Sequence, residues 1–278
     1  EYQVYHLDIG VIVPLEQLLQ EGTGELENLG FNTCQISAWD VDILTEDNAQ
    51  KLKAITEGKI TISSFWVGWP GPKVWNFTEG PLTLGLVPKE FRHVRMEALK
   101  RGARFAKMLE VGDIVTHVGF IPENPSTTEY AETVVAIKDV ASYCKSWGIY
   151  FNFESGQETP TTLLRTIEDV GLDNLGINLD PANLLLYGKG NPVDAVEIYQ
   201  GLIRSVHVKD GKYPTNGKNL GEETPVGEGL VNFPLLLEKL IKYNYRGPLI
   251  IEREIAGPQQ KQDILKAKNI LLDLLREH

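Results

Sequence analysis

The feature that most restricts how this chain can fold is an alternation. Short β-branched, apolar runs recur from end to end, and each is followed by a longer amphipathic stretch. The runs are Val4–Ile9, Asn32–Ser37, Lys59–Val67, Ile114–Val118, Ile149–Glu154, Leu175–Asp180, Ser205–Val208 and Leu249–Glu252. Several stay apolar until a polar last residue, the pattern of parallel strands covered on both faces. Between them the spacing predicts helices over Pro14–Leu29, Glu46–Glu57, Pro88–Glu110, Thr127–Trp147, Thr161–Val170, Pro192–Leu202, Phe233–Tyr243 and Gln259–Glu277. Pro14, Pro88 and Pro192 suit first helical turns, and Asn191 and Asn232 suit N-caps. In Pro88–Glu110 the helical period assigns Phe91, Val94, Ala98, Phe105 and Leu109 to the core and leaves Arg92, Lys100, Arg101 and Lys107 to solvent.

Eight strand–helix units without a linker or a composition break predict a closed (β/α)₈ TIM barrel, an α/β fold, as a single domain over residues 1–278. The length fits, since such barrels take roughly 250 residues. An open doubly wound sheet would tend to carry a glycine-rich turn after its first strand, and Asp8-Ile9-Gly10-Val11 matches one poorly. Two connections are long: Gly68–Val87, with Trp69, Trp75 and Phe77, and Lys209–Val231. Both follow strands directly, so both belong to the rim where long loops act as lids or substrate walls. Trp69 and Trp75 read equally well as packing inside such a loop.

The charge balance bears on partners. With 27 basic against 38 acidic residues the formal charge is −11, and no Lys/Arg cluster breaks the acidic background. That argues against nucleic acid and anionic membranes as partners. No apolar run approaches the roughly 20 residues that span a bilayer. Cys34 and Cys144 stand in no pairing motif, which suggests reduced thiols and a cytoplasmic location, although the sequence opens on Glu1 and is compatible with a trimmed start. A small neutral substrate, or one screened by a metal, suits this balance.

Barrels present the residues at the carboxyl ends of their strands to one rim. Glu154 closes the fifth predicted strand, Asp180 the sixth and Glu252 the eighth, with His207 near the end of the seventh. The successive gaps are 26, 27 and 45 residues, the last lengthened by the loop after strand seven. Three carboxylates crowded together would repel one another, and desolvation adds to the cost. A divalent cation removes that difficulty. Oxygen donors with one imidazole suit one Mn²⁺, Mg²⁺ or Co²⁺, and admit Zn²⁺ or Fe²⁺.

The strings Val115-Thr116-His117-Val118-Gly119, Phe153-Glu154-Ser155-Gly156-Gln157-Glu158-Thr159, Leu179-Asp180-Pro181-Ala182-Asn183, Val206-His207-Val208-Lys209-Asp210, Val226-Gly227-Glu228-Gly229 and Ile251-Glu252 resemble the xylose isomerase-like TIM-barrel superfamily of sugar-phosphate isomerases and epimerases. The resemblance spans essentially the whole chain and is most specific after residue 114. It implies that Glu154, Asp180, His207 and Glu252 ligate one metal and that Glu154 and Glu252 also serve as the catalytic acid/base pair. Members resembling endonuclease IV carry a histidine where this chain has Asn183, so a trinuclear site is not expected. Free-ketose 3-epimerases usually carry an arginine where this chain has Tyr213, so the far end of a substrate must be gripped differently.

The implied activity is epimerisation or isomerisation of a sugar or sugar phosphate, by proton abstraction beside a carbonyl through a metal-stabilised ene-diolate. The alternative is a lyase or dehydratase acting on a keto-inositol or keto-glycoside. Candidate substrate contacts are Trp66, His117, Glu158, Asn183 and Lys209, where Lys209 reads alternatively as an ion-pair partner and Glu158 as a helix-start carboxylate. The turn Gly227-Glu228-Gly229 offers a weak phosphate-site signal. His6 and Asp8 are expected on the first strand as inward polar residues, while His93 and His278 are expected to be uninvolved. A homo-oligomer is compatible with the amphipathic last helix.

Overall fold

The apolar runs become strands because β-branched and aromatic side chains fit a pleated surface buried on both faces. The computed structural model describes residues 6–278. Its strands are β1 (Ile9–Pro14), β2 (Thr33–Ala38), β3 (Thr61–Val67), β4 (Asp113–Thr116), β5 (Tyr150–Glu154), β6 (Leu175–Leu179), β7 (Ile203–Val208) and β8 (Leu249–Ile251). They pair in parallel in the order β1-β8-β7-β6-β5-β4-β3-β2, and β1 also bonds to β2, which closes the barrel. Closure leaves no edge strand to solvent. Between the strands lie helices Glu46–Thr56, Lys89–Met108, Thr128–Ser146, Pro160–Val170, Phe233–Lys242 and Pro258–Leu275, close to the predicted spans.

The first unit departs from expectation. The strand is Ile9–Pro14 rather than Val4–Ile9; Val4 and Tyr5 lie outside the described residues. His6 and Asp8 precede it, their side chains exposed and, among the described residues, paired with each other at 3.3 Å, so neither points into the barrel. The run Ile9–Pro14 is the more apolar of the two, and Gly10 lets β1 approach its neighbour. A Cβ there would sit 2.6 Å from the Thr33 carbonyl oxygen. Pro14 ends this strand instead of opening a first helical turn. The predicted helix Pro14–Leu29 is split into Leu15–Glu21 and Gly24–Asn28, with Gly22 at φ +72° between them.

A second departure lies in the helix Lys89–Met108. Val94, expected in the core, is 57% exposed, whereas Arg95 is fully buried. The guanidinium explains the swap. It donates to the carbonyl oxygens of Pro70 (2.9 Å), Pro72 (2.8 Å), Thr83 (2.6 Å) and Gly85 (2.9 Å), and it stacks 4.0 Å from the Trp69 ring. Each such charge-assisted bond contributes about 1.5–3 kcal/mol. The long loop after β3 is therefore tied down from beneath, and Trp69 is its buried filler rather than a site residue.

Inside the barrel a polar layer crosses from one wall to the other. Gln35 on β2 donates through Nε2 to Ser64 Oγ on β3 (2.8 Å) and to Asn178 Oδ1 on β6 (3.1 Å). This layer lies directly below the rim residues of β5–β8.

Candidate metal centre

The four residues singled out at the strand ends converge. One ligand atom from each of Glu154, Asp180, His207 and Glu252 lies within 4.8 Å of all the others. His207 Nδ1 stands 3.5 Å from Glu154 Oε1, 3.6 Å from Asp180 Oδ2 and 3.8 Å from Glu252 Oε2. Donors about 2.1 Å from a common cation would be separated by about 3–4 Å, so the spacing is close to that of a coordination shell.

The tautomer of His207 supplies the test of fit. Because Gln35 Nε2 already donates twice, its Oε1 faces His207 Nε2 at 2.6 Å and can only accept. Nε2 therefore carries the proton, and Nδ1, buried and without a hydrogen bond, turns toward the carboxylates. A lone pair facing three carboxylates is stable only with a positive charge between them. A neutral imidazole oriented by a donor bond from its far nitrogen is the usual state of a metal-binding histidine. With no cation bound, burial works against protonation of His207, but the carboxylates, Glu252 foremost, overcome it and raise its pKa well above the ordinary value. The donor set fits one divalent cation.

Each carboxylate is held in place. Glu154, the last residue of β5, accepts from Trp66 Nε1 at 2.5 Å and lies 3.3 Å from His117 Nε2 through Oε2, while Oε1 accepts from Asn183 Nδ2 at 3.3 Å. Asp180 caps the short helix Pro181–Leu186, its Oδ1 accepting from Asn183 N at 2.9 Å. This helix was not foreseen; its start at Asp180-Pro181 is a legible cap signal that the strand pattern overrode. Lys209 Nζ lies 3.1 Å from Asp180 Oδ2 and 3.0 Å from both Glu252 Oε1 and Glu254 Oε1. Burial disfavours its charge, but Asp180 and the two glutamates raise its pKa well above the ordinary lysine value.

Glu154 and Glu252 line a cavity of about 440 Å³, while Asp180 and His207 are not among its lining residues. Of the expected substrate contacts, Trp66, His117 and Asn183 line it. Lys209 does not: it is the ion-pair partner of the carboxylates. Glu158 does not either. It is buried behind the wall, where desolvation pushes its carboxyl up to about 8 against the pull of His117. The start of helix Pro160–Val170 is served instead by Glu123, which accepts from Thr159 N at 3.0 Å. The turn Gly227-Glu228-Gly229 is no open anion cradle, because Asp210 Oδ2 already takes the N–H groups of Gly227 (2.9 Å) and Gly229 (3.2 Å). Trp75 lines the cavity with Trp39, a residue the sequence reading missed, their ring centroids 6.3 Å apart. Gln157, Tyr187, Arg253 and Glu254 were also missed; all four lie in loops or turns, where no period marks the inward face. Cys34 and Cys144 are free and buried, and no helix among the described residues is long and apolar enough to cross a membrane.

Comparison with known proteins agrees with this architecture. A xylose isomerase domain protein from Planctomyces limnophilus has a structure similar to this chain at a TM-score of 0.90, with 34% identity over 98% of this chain and 99% of that one. A D-tagatose 3-epimerase-like protein shares the fold at a TM-score of 0.73, with 23% identity over 96% and 97% of the two chains. An uncharacterized protein of Methanocaldococcus jannaschii is 28% identical over 197 residues, 66% of this chain; the match spans 63% of that relative's length. The family model described as xylose isomerase-like TIM barrel matches residues 24–273, and the chain belongs to that family.

Proposed function

We propose that this protein is a divalent-metal-dependent sugar epimerase or isomerase that moves a proton beside a carbonyl group, with Glu154 and Glu252 as the proton-transfer pair. The observation that carries this reading is His207, which donates through Nε2 to Gln35 and aims its Nδ1 among three carboxylates. The epimerase-like barrel with which the chain shares its fold adds support for a carbohydrate substrate. A divalent cation bound by these four residues would stabilise the negative charge that develops on a carbonyl oxygen as the adjacent C–H ionises.

The side chains do the rest. Glu154 rises from β5 and Glu252 follows β8, with β6 and β7 between them in the ring, so their carboxylates reach the cavity from different arcs. One takes the carbon-bound proton and the other delivers a proton. Delivery to the opposite face of the same carbon epimerises it; delivery to the neighbouring carbon interconverts aldose and ketose. Trp66 and His117 on one carboxylate, and Lys209 on the other, restrain both, as the positioning of groups in such transfers would demand.

The deciding experiment incubates ketoses with the Mn²⁺-supplemented protein in D₂O. Deuterium beside the carbonyl, with no other change in mass, is the expected result. Loss of water or of an aglycone would replace this reading with a lyase, and a protein that neither binds a divalent metal nor exchanges any ketose would overturn it.

A further inference from the structure

Resting on that reading, the lining of the cavity limits what kind of sugar can enter it. Among the described residues that line it, Arg253 is the only lysine or arginine, against the carboxylates of Glu154, Glu252 and Glu254. Arg253 is already engaged: Nη1 lies 3.0 Å from Glu223 Oε2, and Nε donates to Asp263 Oδ2 at 2.9 Å. Lys209, 2% exposed, is shared by three carboxylates. The one glycine turn on this rim that suggested a phosphate cradle has its N–H groups taken by Asp210. A phosphate or carboxylate held by the lining residues would therefore meet negative charge without a free cation among them, which costs more in a partly desolvated pocket than in water. Lys73, outside this lining, has its Nζ 4.7 Å from the Trp39 ring centroid and donates to the Gly71 carbonyl oxygen.

Two other features suit a neutral polyol. Gln157 lines the cavity at 2% exposure, and neither Oε1 nor Nε2 makes a hydrogen bond of proper geometry, although the Tyr187 hydroxyl stands beside it. A buried amide left unpaired costs stability, and both its ends match a hydroxyl group, which donates and accepts. Trp39 and Trp75, 38% and 37% exposed, offer an apolar platform of the kind that receives the C–H face of a sugar ring. We propose that the site takes an uncharged, polyhydroxylated substrate, a sugar or glycoside without phosphate or carboxylate, held at a hydroxyl by Gln157 and along a C–H face by Trp39 and Trp75.

The test uses the full chain loaded with Mn²⁺ and matched ketoses with and without a terminal phosphate: fructose and fructose 6-phosphate, ribulose and ribulose 5-phosphate. Exchange of deuterium from D₂O into the neutral member should exceed that into its phosphate by at least tenfold in kcat/KM. Equal or faster exchange into the phosphate overturns this inference and leaves the proposed function standing. Exchange into none of them overturns this inference, and together with a failure to bind any divalent metal it removes the proposed function as well. Gln157→Met gives a separate check. Its ligand-free Tm should be unchanged or raised, because an unpaired amide has been replaced by an apolar group of similar shape, while KM for the neutral ketose rises at least tenfold. A lowered Tm would show that Gln157 serves the fold and would overturn its assignment to the substrate.

Discussion

The carboxylate side of the cavity and its tryptophan side are built by different means. On the first, Glu154, Asp180, His207 and Glu252 sit at or just past the ends of neighbouring strands, and β-sheet hydrogen bonding fixes their positions. Their charges are balanced locally by Lys209 and their orientations set by Gln35, Trp66 and Asn183. On the second, Trp75 belongs to the long loop after β3 and Trp39 follows β2. That loop owes its shape to a buried guanidinium reaching up from the helix Lys89–Met108. The strand-borne side can place charge to within a fraction of an ångström, as proton transfer demands, while the loop-borne side can vary in shape without disturbing the chemistry.

Four substitutions would break or sharpen this contrast. Glu154→Gln should lower the rate of deuterium exchange by about 10²–10⁴-fold, the usual share of general acid–base catalysis, with an unchanged circular dichroism spectrum. Near-normal exchange would remove Glu154 from the proton-transfer pair. Arg95→Ala should cost about 3–5 kcal/mol in urea denaturation, because four loop carbonyls lose a buried charged donor together. A loss below about 1 kcal/mol would mean that the loop holds its shape without the arginine. Gln35→Leu takes away the acceptor that fixes the His207 proton on Nε2, so Mn²⁺ affinity measured by calorimetry should fall about 10–100-fold. Unchanged affinity would show that the tautomer is set by something else. Trp75→Ala should act most weakly, raising KM by a factor that corresponds to about 1 kcal/mol while leaving kcat and Mn²⁺ affinity intact. A fall in kcat instead would tie the aromatic wall to the chemistry through His117, whose ring centroid lies 4.9 Å from that of Trp75.

The barrel and the four convergent residues were legible because both rest on local periodicity. A parallel strand reads as an apolar run, its end is marked by a polar residue, and regular strand–helix units place those ends on one rim. The first strand was misplaced because two apolar runs adjoin there, and the one that pairs with β2 and β8, Ile9–Pro14, is fitted to them by the close approach at Gly10. Arg95 was unreadable for a related reason. Its position in the helix gives no hint that four loop carbonyls, Pro70, Pro72, Thr83 and Gly85, would need it. Lys209 shares the inward parity of His207, so its side of the strand could be foreseen. Its three carboxylate partners come from β6 and from the segment after β8, and could not.

By itself, the sequence determined the closed barrel and the set of side chains that meet above it, since strand period and helix period act over a few residues and repeat. Only the tertiary structure decided which of the surrounding polar groups face the cavity. Lys209 and Glu158 do not line it, while Gln157, Asn183, Trp39, Trp66 and Trp75 do. That choice follows from charge neutralisation and backbone hydrogen bonding between segments far apart in the chain, which no local pattern encodes.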